Sequence, residues 1–215
     1  MDVLLFSFIR TTYHADLVDL DWSNPAVCLE FVGILLEHCA RGFDAVRLDA
    51  FAYTWKQEHT TCVNQPQITL ILRLLRACLD AAGAHSCAIL PSLTNVTQTE
   101  NASYLGKGAQ LTYHLPLAAL LLHSLYSSDA RVLTQWLMDL PSMLPMTLNP
   151  ASGNSIGTLL NLASSHDGIG LTWCKGILSD IEITHLCTCA KRRGGSFQSR
   201  LPTADAPVAE PWEVH

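Results

Sequence analysis

Two short stretches of this sequence carry side chains whose types and spacing could do chemistry. In Ala45-Val46-Arg47-Leu48-Asp49-Ala50-Phe51 a cation and a carboxylate stand two residues apart, so an extended backbone puts them on one side. In Ser164-Ser165-His166-Asp167-Gly168 an imidazole and a carboxylate follow an apolar run at a polar turn. Both sit where a strand finishes and a loop begins, the place where parallel α/β barrels carry their working groups. Each stretch also has a plain structural reading. Arg-Asp pairs hold folds together, and Ser, Asp and Gly are turn formers. The eight cysteines, at 28, 39, 62, 78, 87, 174, 187 and 189, add no third site. They include no C-x-x-C pair, and Cys187 and Cys189 stand two apart in a helical pattern, where they face different sides. Cys28, Cys39 and Cys78 fall among Leu, Val and Ile and read as small hydrophobes. No metal or cofactor is expected.

The elements that must position these groups alternate between strand-length apolar runs and helix-length amphipathic ones, the grammar of an α/β fold. Asn24-Pro25 opens a helix over 25–41. The strand at 45–51 follows it, and Gln65-Pro66 starts a helix closing at Gly83. Cys87–Pro91 reads as the next strand and Leu111–Leu115 as a further one before a helix at 117–126; another helix, around 132–140, ends at Pro141. Thr158–Ala163 is a strand leading into the His-Asp turn, and Ser179 caps a last helix reaching Arg193. Residues 201–215 hold three prolines and no period, so a loose C-terminal tail is expected after a single domain over 1–200.

Composition excludes some classes of function. Thirteen Lys+Arg stand against nineteen Asp+Glu, a net charge of −6, which leaves no surplus of cations for a nucleic-acid backbone. No apolar run reaches the length of a membrane span, and the opening ten residues lack the grammar of a secretory signal, so a cytoplasmic chain with no membrane or nucleic-acid partner is expected.

A family resemblance joins the two stretches. Arg47-Leu-Asp49-Ala-Phe-Ala-Tyr53-Thr-Trp55-Lys56 resembles the nucleophile strand of the α-amylase superfamily (glycoside hydrolase family 13), in the form found in sucrose phosphorylases and their relatives. Asp16-Leu-Val-Asp19-Leu-Asp21-Trp-Ser-Asn24-Pro25 resembles the segment before that strand. Thr94-Asn-Val with Glu100-Asn-Ala-Ser-Tyr104-Leu-Gly106 resembles the stretch after the fifth strand, and Leu162-Ala-Ser-Ser-His166-Asp167-Gly-Ile-Gly170 the motif after the seventh. Gly176–Asp180 and Arg192–Gly195 continue the pattern, which covers roughly residues 13–200 in the family's order.

The resemblance implies a partial (β/α)8 TIM barrel, roughly its fourth to seventh strands with their helices. It also implies retaining chemistry at an α-glucosidic bond, with an α-glucoside or sucrose-like sugar and inorganic phosphate as partners. By position, Asp49 is the nucleophile, Arg47 orients it, and Asp167 stabilises the transition state. His166, Tyr53 and Lys56 then contact substrate.

Two departures stand out. The family carries a general-acid Glu immediately before Thr-Asn-Val, and here that position is Leu93, which has no proton to give; Glu100, the nearest carboxylate, matches a different family position. A complete barrel takes about 250 residues, so the strands before the fourth and after the seventh are missing. Open barrel edges predict an oligomer or a completing chain. An impaired glycosyl-transferring domain, a non-catalytic sugar- or partner-binding remnant and a non-functional fragment all remain open.

Overall fold

A computed structural model describes residues 9–12, 14–144, 157–200 and 209–215. The chain divides into two compact units, Met1–Asn95 with Lys107–Gln110, and Val96–Gly106 with Leu111–His215.

The first unit begins with helix α1, Pro25–Ala40. Asn24 caps it, its Oδ1 accepting from the Ala26 N–H at 3.0 Å, and proline fills the first helical position, where no donor is lost. Strand β1 is Ala45–Leu48, shorter than expected. Ala50 turns the chain in the left-handed region (φ 50°), and a 3-10 turn over Phe51–Tyr53 buries Phe51 and Ala52. Asp49 therefore stands in a turn just past the strand rather than on the strand face. Helix α2, Gln67–Ala81, buries Ile68, Ile71, Leu72, Leu75 and Leu79, an i, i+3, i+4 stripe.

Strand β2, Ala88–Pro91, lies parallel to β1 in the register Ala45↔Ala88 to Leu48↔Pro91, so β1, α2 and β2 form a βαβ unit. Arg76 of α2 is buried and spends its guanidinium on the turn before β2. It donates to the Cys87 carbonyl at 2.6 Å and the Ala84 carbonyl at 3.0 Å, and pairs with Asp80 at 2.7 Å. Gln110 lies along β2. Its N–H donates to the Ile89 carbonyl at 3.2 Å, and its side-chain oxygen accepts from the Ile89 N–H at 3.0 Å. Nearby, Gly108 (φ +120°) is held so close to α2 that a Cβ would meet the Leu72 carbonyl oxygen at 2.9 Å, so only glycine fits.

The second unit repeats the theme. A short helix α3, Gln98–Ala102, is closed by a Thr97/Glu100 capping box. Strand β3, Leu111–Tyr113, is followed by helices α4, Leu117–Ser127, and α5, Arg131–Met143, and then by strand β4, Thr158–Leu160, parallel to β3. Helix α5 runs through Pro141 instead of ending there. Helix α6, Asp180–Arg192, begins at a Ser179/Glu182 capping box. Its buried face packs with Leu120 of α4, Trp136 of α5, Leu171, Cys174 and Val214.

Three short antiparallel strands complete this unit in the order β5-β7-β6, with β5 at Ile169–Gly170, β6 at Phe197–Arg200 and β7 at Glu210–Val214. Strand β7 falls inside the segment expected to be a loose tail; residues 201–208 of that segment lie outside the described residues. All eight cysteines are free thiols, five buried and Cys28, Cys39 and Cys78 half-buried. No described helix is long and apolar enough to cross a membrane.

Candidate functional site

In the first unit, the expected site residues gather at the end of β1. Arg47 Nη2 lies 2.8 Å from Asp49 Oδ1 and 3.4 Å from Ser92 Oγ, just past the end of β2. The Asp49 side chain is 74% exposed, so its carboxylate is open to a reacting partner while one oxygen is held by the guanidinium. The strand ends are laced together. Ser92 N–H donates to the Leu48 carbonyl (2.9 Å), and Ala52 N–H donates to the Ser92 carbonyl (3.3 Å). Asn64 N–H donates to the Ala52 carbonyl (2.8 Å), and Asn64 Nδ2 to the Thr94 carbonyl (2.7 Å). This lacing fixes the peptide on either side of Leu93, whose side chain is buried at 6% exposure. Sequence reasoning missed Asn64; its only local sign is the Asn itself, a residue that tolerates the left-handed conformation adopted here (φ 51°).

Lys56 is engaged elsewhere. Its Nζ lies 2.9 Å from Asp19 Oδ2 and donates to Thr12 Oγ1 at 3.0 Å, 5.7 Å from the centroid of the Tyr53 ring. Thr12 Oγ1 donates to the same Asp19 oxygen at 2.5 Å. Burial pushes the Asp19 carboxyl up, but the hydrogen bonds from Thr12 and Lys56 outweigh it and hold the group below the usual carboxylate range. The cluster ties the segment before α1 to the loop after β1, so Lys56 is a cross-link here.

In the second unit, His166 and Asp167 occupy the turn that follows β4. Ser165 and Gly168 exchange backbone hydrogen bonds at 3.0 and 3.1 Å, and Asp167 N–H donates to Ser165 Oγ at 3.1 Å. His166 Nε2 lies 3.5 Å from Asp167 Oδ2, and the two side chains are 71% and 64% exposed. Gly168 (φ +104°) has no room for a side chain, since a Cβ would meet the Val214 carbonyl oxygen at 2.6 Å.

Between β4 and that turn begins a chain of polar groups that the sequence did not announce, buried at Trp136 and His114 and exposed at Asn161. Trp136 Nε1–H donates to His114 Nε2 at 2.9 Å, which leaves His114 Nδ1 as the donor to Asn161 Oδ1 at 2.9 Å. Burial lowers the His114 pKa, partly offset by the Asn161 bond, so the ring is neutral. Asn161 stands one residue past β4, so this chain anchors the strand end from which the His-Asp turn departs.

No protein-family model matches the chain. It is 36% identical over 209 residues to a glucosylglycerate phosphorylase of Allomeiothermus silvanus, a match covering 96% of this chain and 35% of that protein. It is 34% identical over 187 residues to a glucosylglycerate phosphorylase of Escherichia coli, covering 86% and 31%. A sucrose phosphorylase of Streptococcus mutans is 30% identical over 199 residues, covering 90% and 36%. The chain thus spans about a third of the length of the curated relatives it matches.

Among solved structures, sucrose 6F-phosphate phosphorylase from Thermoanaerobacter thermosaccharolyticum matches with a TM-score of 0.69 at 19% identity, over 92% of this chain and 36% of that one. Isomaltulose synthase from Erwinia rhapontici NX5 matches with a TM-score of 0.50 at 14% identity, over 72% and 29%. These likenesses give the fold, α/β of the kind that builds TIM-barrel enzymes.

Proposed function

Since the chain is homologous to a segment of the sucrose phosphorylase-like branch of the α-amylase superfamily (glycoside hydrolase family 13), we propose that it is part of a retaining glycosyl-transfer barrel that keeps the nucleophile and has lost the acid. In this reading β1 to β4 correspond to roughly the fourth to seventh barrel strands. One observation carries it: β1 and β2 run parallel, with Asp49 one residue beyond β1 and the buried Leu93 two residues beyond β2, so both leave the sheet at its carboxyl end. Working groups of parallel α/β barrels sit at that end.

An Asp49 oxygen attacks the anomeric carbon of an α-glucoside as the bond to the leaving group breaks, while Arg47 holds the other oxygen. Asp167 and His166 grip sugar hydroxyls more tightly in the oxocarbenium-like transition state than in the ground state. An alkoxide leaving group needs a proton, and Leu93 supplies none, a deficit worth about 10²- to 10⁴-fold. Phosphate then attacks the glucosyl ester, which frees the Asp49 carboxylate and releases α-glucose 1-phosphate.

The test compares α-glucosyl fluoride, whose fluoride departs unprotonated, with sucrose and glucosylglycerate, each with inorganic phosphate. The fluoride should turn over faster by at least about 10²-fold, and Leu93→Glu should narrow the gap. Fluoride turnover no higher than that of an Asp49→Asn control overturns the proposal. Leu93→Glu places a carboxylate in an apolar setting at a cost in stability, so its fold is checked by circular dichroism beside the assay.

A further inference from the structure

The second unit contains a cleft of about 290 Å³ beside the His-Asp turn, distinct from the groups given a role above. Its walls come from Leu122 and Tyr126 of α4, Ile169 of β5 and Val214 of β7. These are apolar or aromatic, and His215 adds an imidazole to the lining. Ser164 of the turn and Arg193, just past α6, also line it.

Arg193 is the unusual member. Its guanidinium carbon lies 4.4 Å from the centroid of the Tyr126 ring, and among the described residues no carboxylate pairs with it. A guanidinium that spends one face on a ring keeps its in-plane N–H groups, the fork that matches a carboxylate. Two other cations of this unit are committed differently. Lys191 Nζ sits over the Phe197 ring at 4.6 Å, and Lys175 pairs with Glu210. A largely apolar cleft lined by one planar cation that no described carboxylate pairs with fits a molecule that is apolar at one end and carries a carboxylate at the other.

Size narrows the class. The cleft is at the small end of ligand sites, which suits a body of about ten non-hydrogen atoms. A bare phosphate would leave Leu122, Ile169 and Val214 facing water.

We propose that this cleft binds a small apolar carboxylate, of the size of an aromatic or branched-chain acid, with Arg193 as its carboxylate clamp. Because Ser164 and Ile169 flank His166 and Asp167, an occupant contacts both sides of the turn that presents them. The inference does not depend on whether the chain transfers glucose.

The test uses the full 215-residue chain, isotope-labelled, with three probes: benzoate, benzamide and inorganic phosphate. Benzoate should give saturable shifts in the methyl signals of Leu122, Ile169 and Val214 with a Kd of about 1 mM, as expected for so few atoms. Benzamide, with the same ring and no charge, should bind about tenfold more weakly. Phosphate should leave those methyl signals unmoved. Arg193→Gln, a surface change, should bring benzoate to the benzamide level, and Arg193→Lys should recover only part of the difference. Equal binding of benzoate and benzamide, benzoate binding that survives Arg193→Gln, phosphate shifting the same methyls, or no saturable shift with benzoate would each overturn the proposal.

Discussion

Lys56→Met removes a charge and keeps most of the side-chain stem, so it separates the two roles open to this residue. In the structure its Nζ serves Asp19 at 2.9 Å and Thr12 at 3.0 Å, and the Asp19 and Lys56 side chains are only 14% and 19% exposed. Removing one partner of a fully buried pair costs about 3–5 kcal/mol. Here the carboxylate keeps the Thr12 hydroxyl at 2.5 Å and Arg10 Nε at 3.8 Å, and both ends touch solvent. We therefore expect a loss of about 2 kcal/mol, close to one charged hydrogen bond. For a chain of this size that is a fall in Tm of about 4–8 °C.

The assay is urea and thermal unfolding followed through Trp22, which belongs to the same unit, in a double-mutant cycle with Asp19→Asn. Because the Asp19 carboxyl is depressed in the folded state, its contribution is present above the ordinary carboxylate range. It is lost as pH falls below about 4 through the lowered folded value. The gap between wild type and Lys56→Met should shrink over that same range. A Lys56→Met chain of unchanged stability that loses affinity for glucose would refute this account and restore Lys56 to the substrate.

Gly168→Ala should destabilise the second unit by roughly 2–3 kcal/mol, because it combines a positive φ with a Cβ pressed against the Val214 carbonyl; an unchanged urea midpoint counts against the geometry. His114 is held neutral by burial, its folded pKa below the ordinary histidine value. Its contribution is therefore complete above about pH 6.5 and is lost as pH falls from there toward the folded value, a slope that His114→Gln should flatten. Arg76→Met leaves the Cys87 carbonyl without its side-chain donor, while the Ala84 carbonyl keeps the Cys87 N–H, and should cost about 1–3 kcal/mol, read as a lower urea midpoint for the first unit.

The parts of the fold that follow from local chemistry were legible. Asn24-Pro25, the Ile68-to-Leu79 stripe and the Ser179 cap each specify a helix within a few residues, and each helix forms where expected. Three strands, those at 45–51, 111–115 and 158–163, end short of their expected carboxyl ends, whereas the one at 87–91 ends at Pro91 as expected. A run such as Ala45–Phe51 continues in apolar character past the residue where Ala50 takes a left-handed turn, and apolar content does not record backbone dihedrals. Helix α5 passes through Pro141 because a proline so near a helix end displaces few hydrogen bonds. Strand β7 was invisible because Glu210-Pro211-Trp212-Glu213-Val214 has strand character only once β5 and β6 flank it.

At the candidate site, the Arg47–Asp49 contact was legible because it is local. The commitment of Lys56 to Asp19 spans 37 residues, and the Trp136–His114–Asn161 chain joins three separate elements. No spacing rule reports such contacts.

The first unit is not continuous along the chain, and that bears on how it is made. Its strands pair Ala45 with Ala88, a closure that waits for α2, and β2 then takes up Gln110 along its length, after the chain has already passed through Val96–Gly106. A nascent chain therefore exposes Ile89 and the Leu72 carbonyl face before Gly108 and Gln110 leave the ribosome. The first unit reaches its final stability only once material from the second has been synthesised. Cutting the gene at residue 95 would sever a folding unit, whereas a boundary after Gln110 keeps it whole.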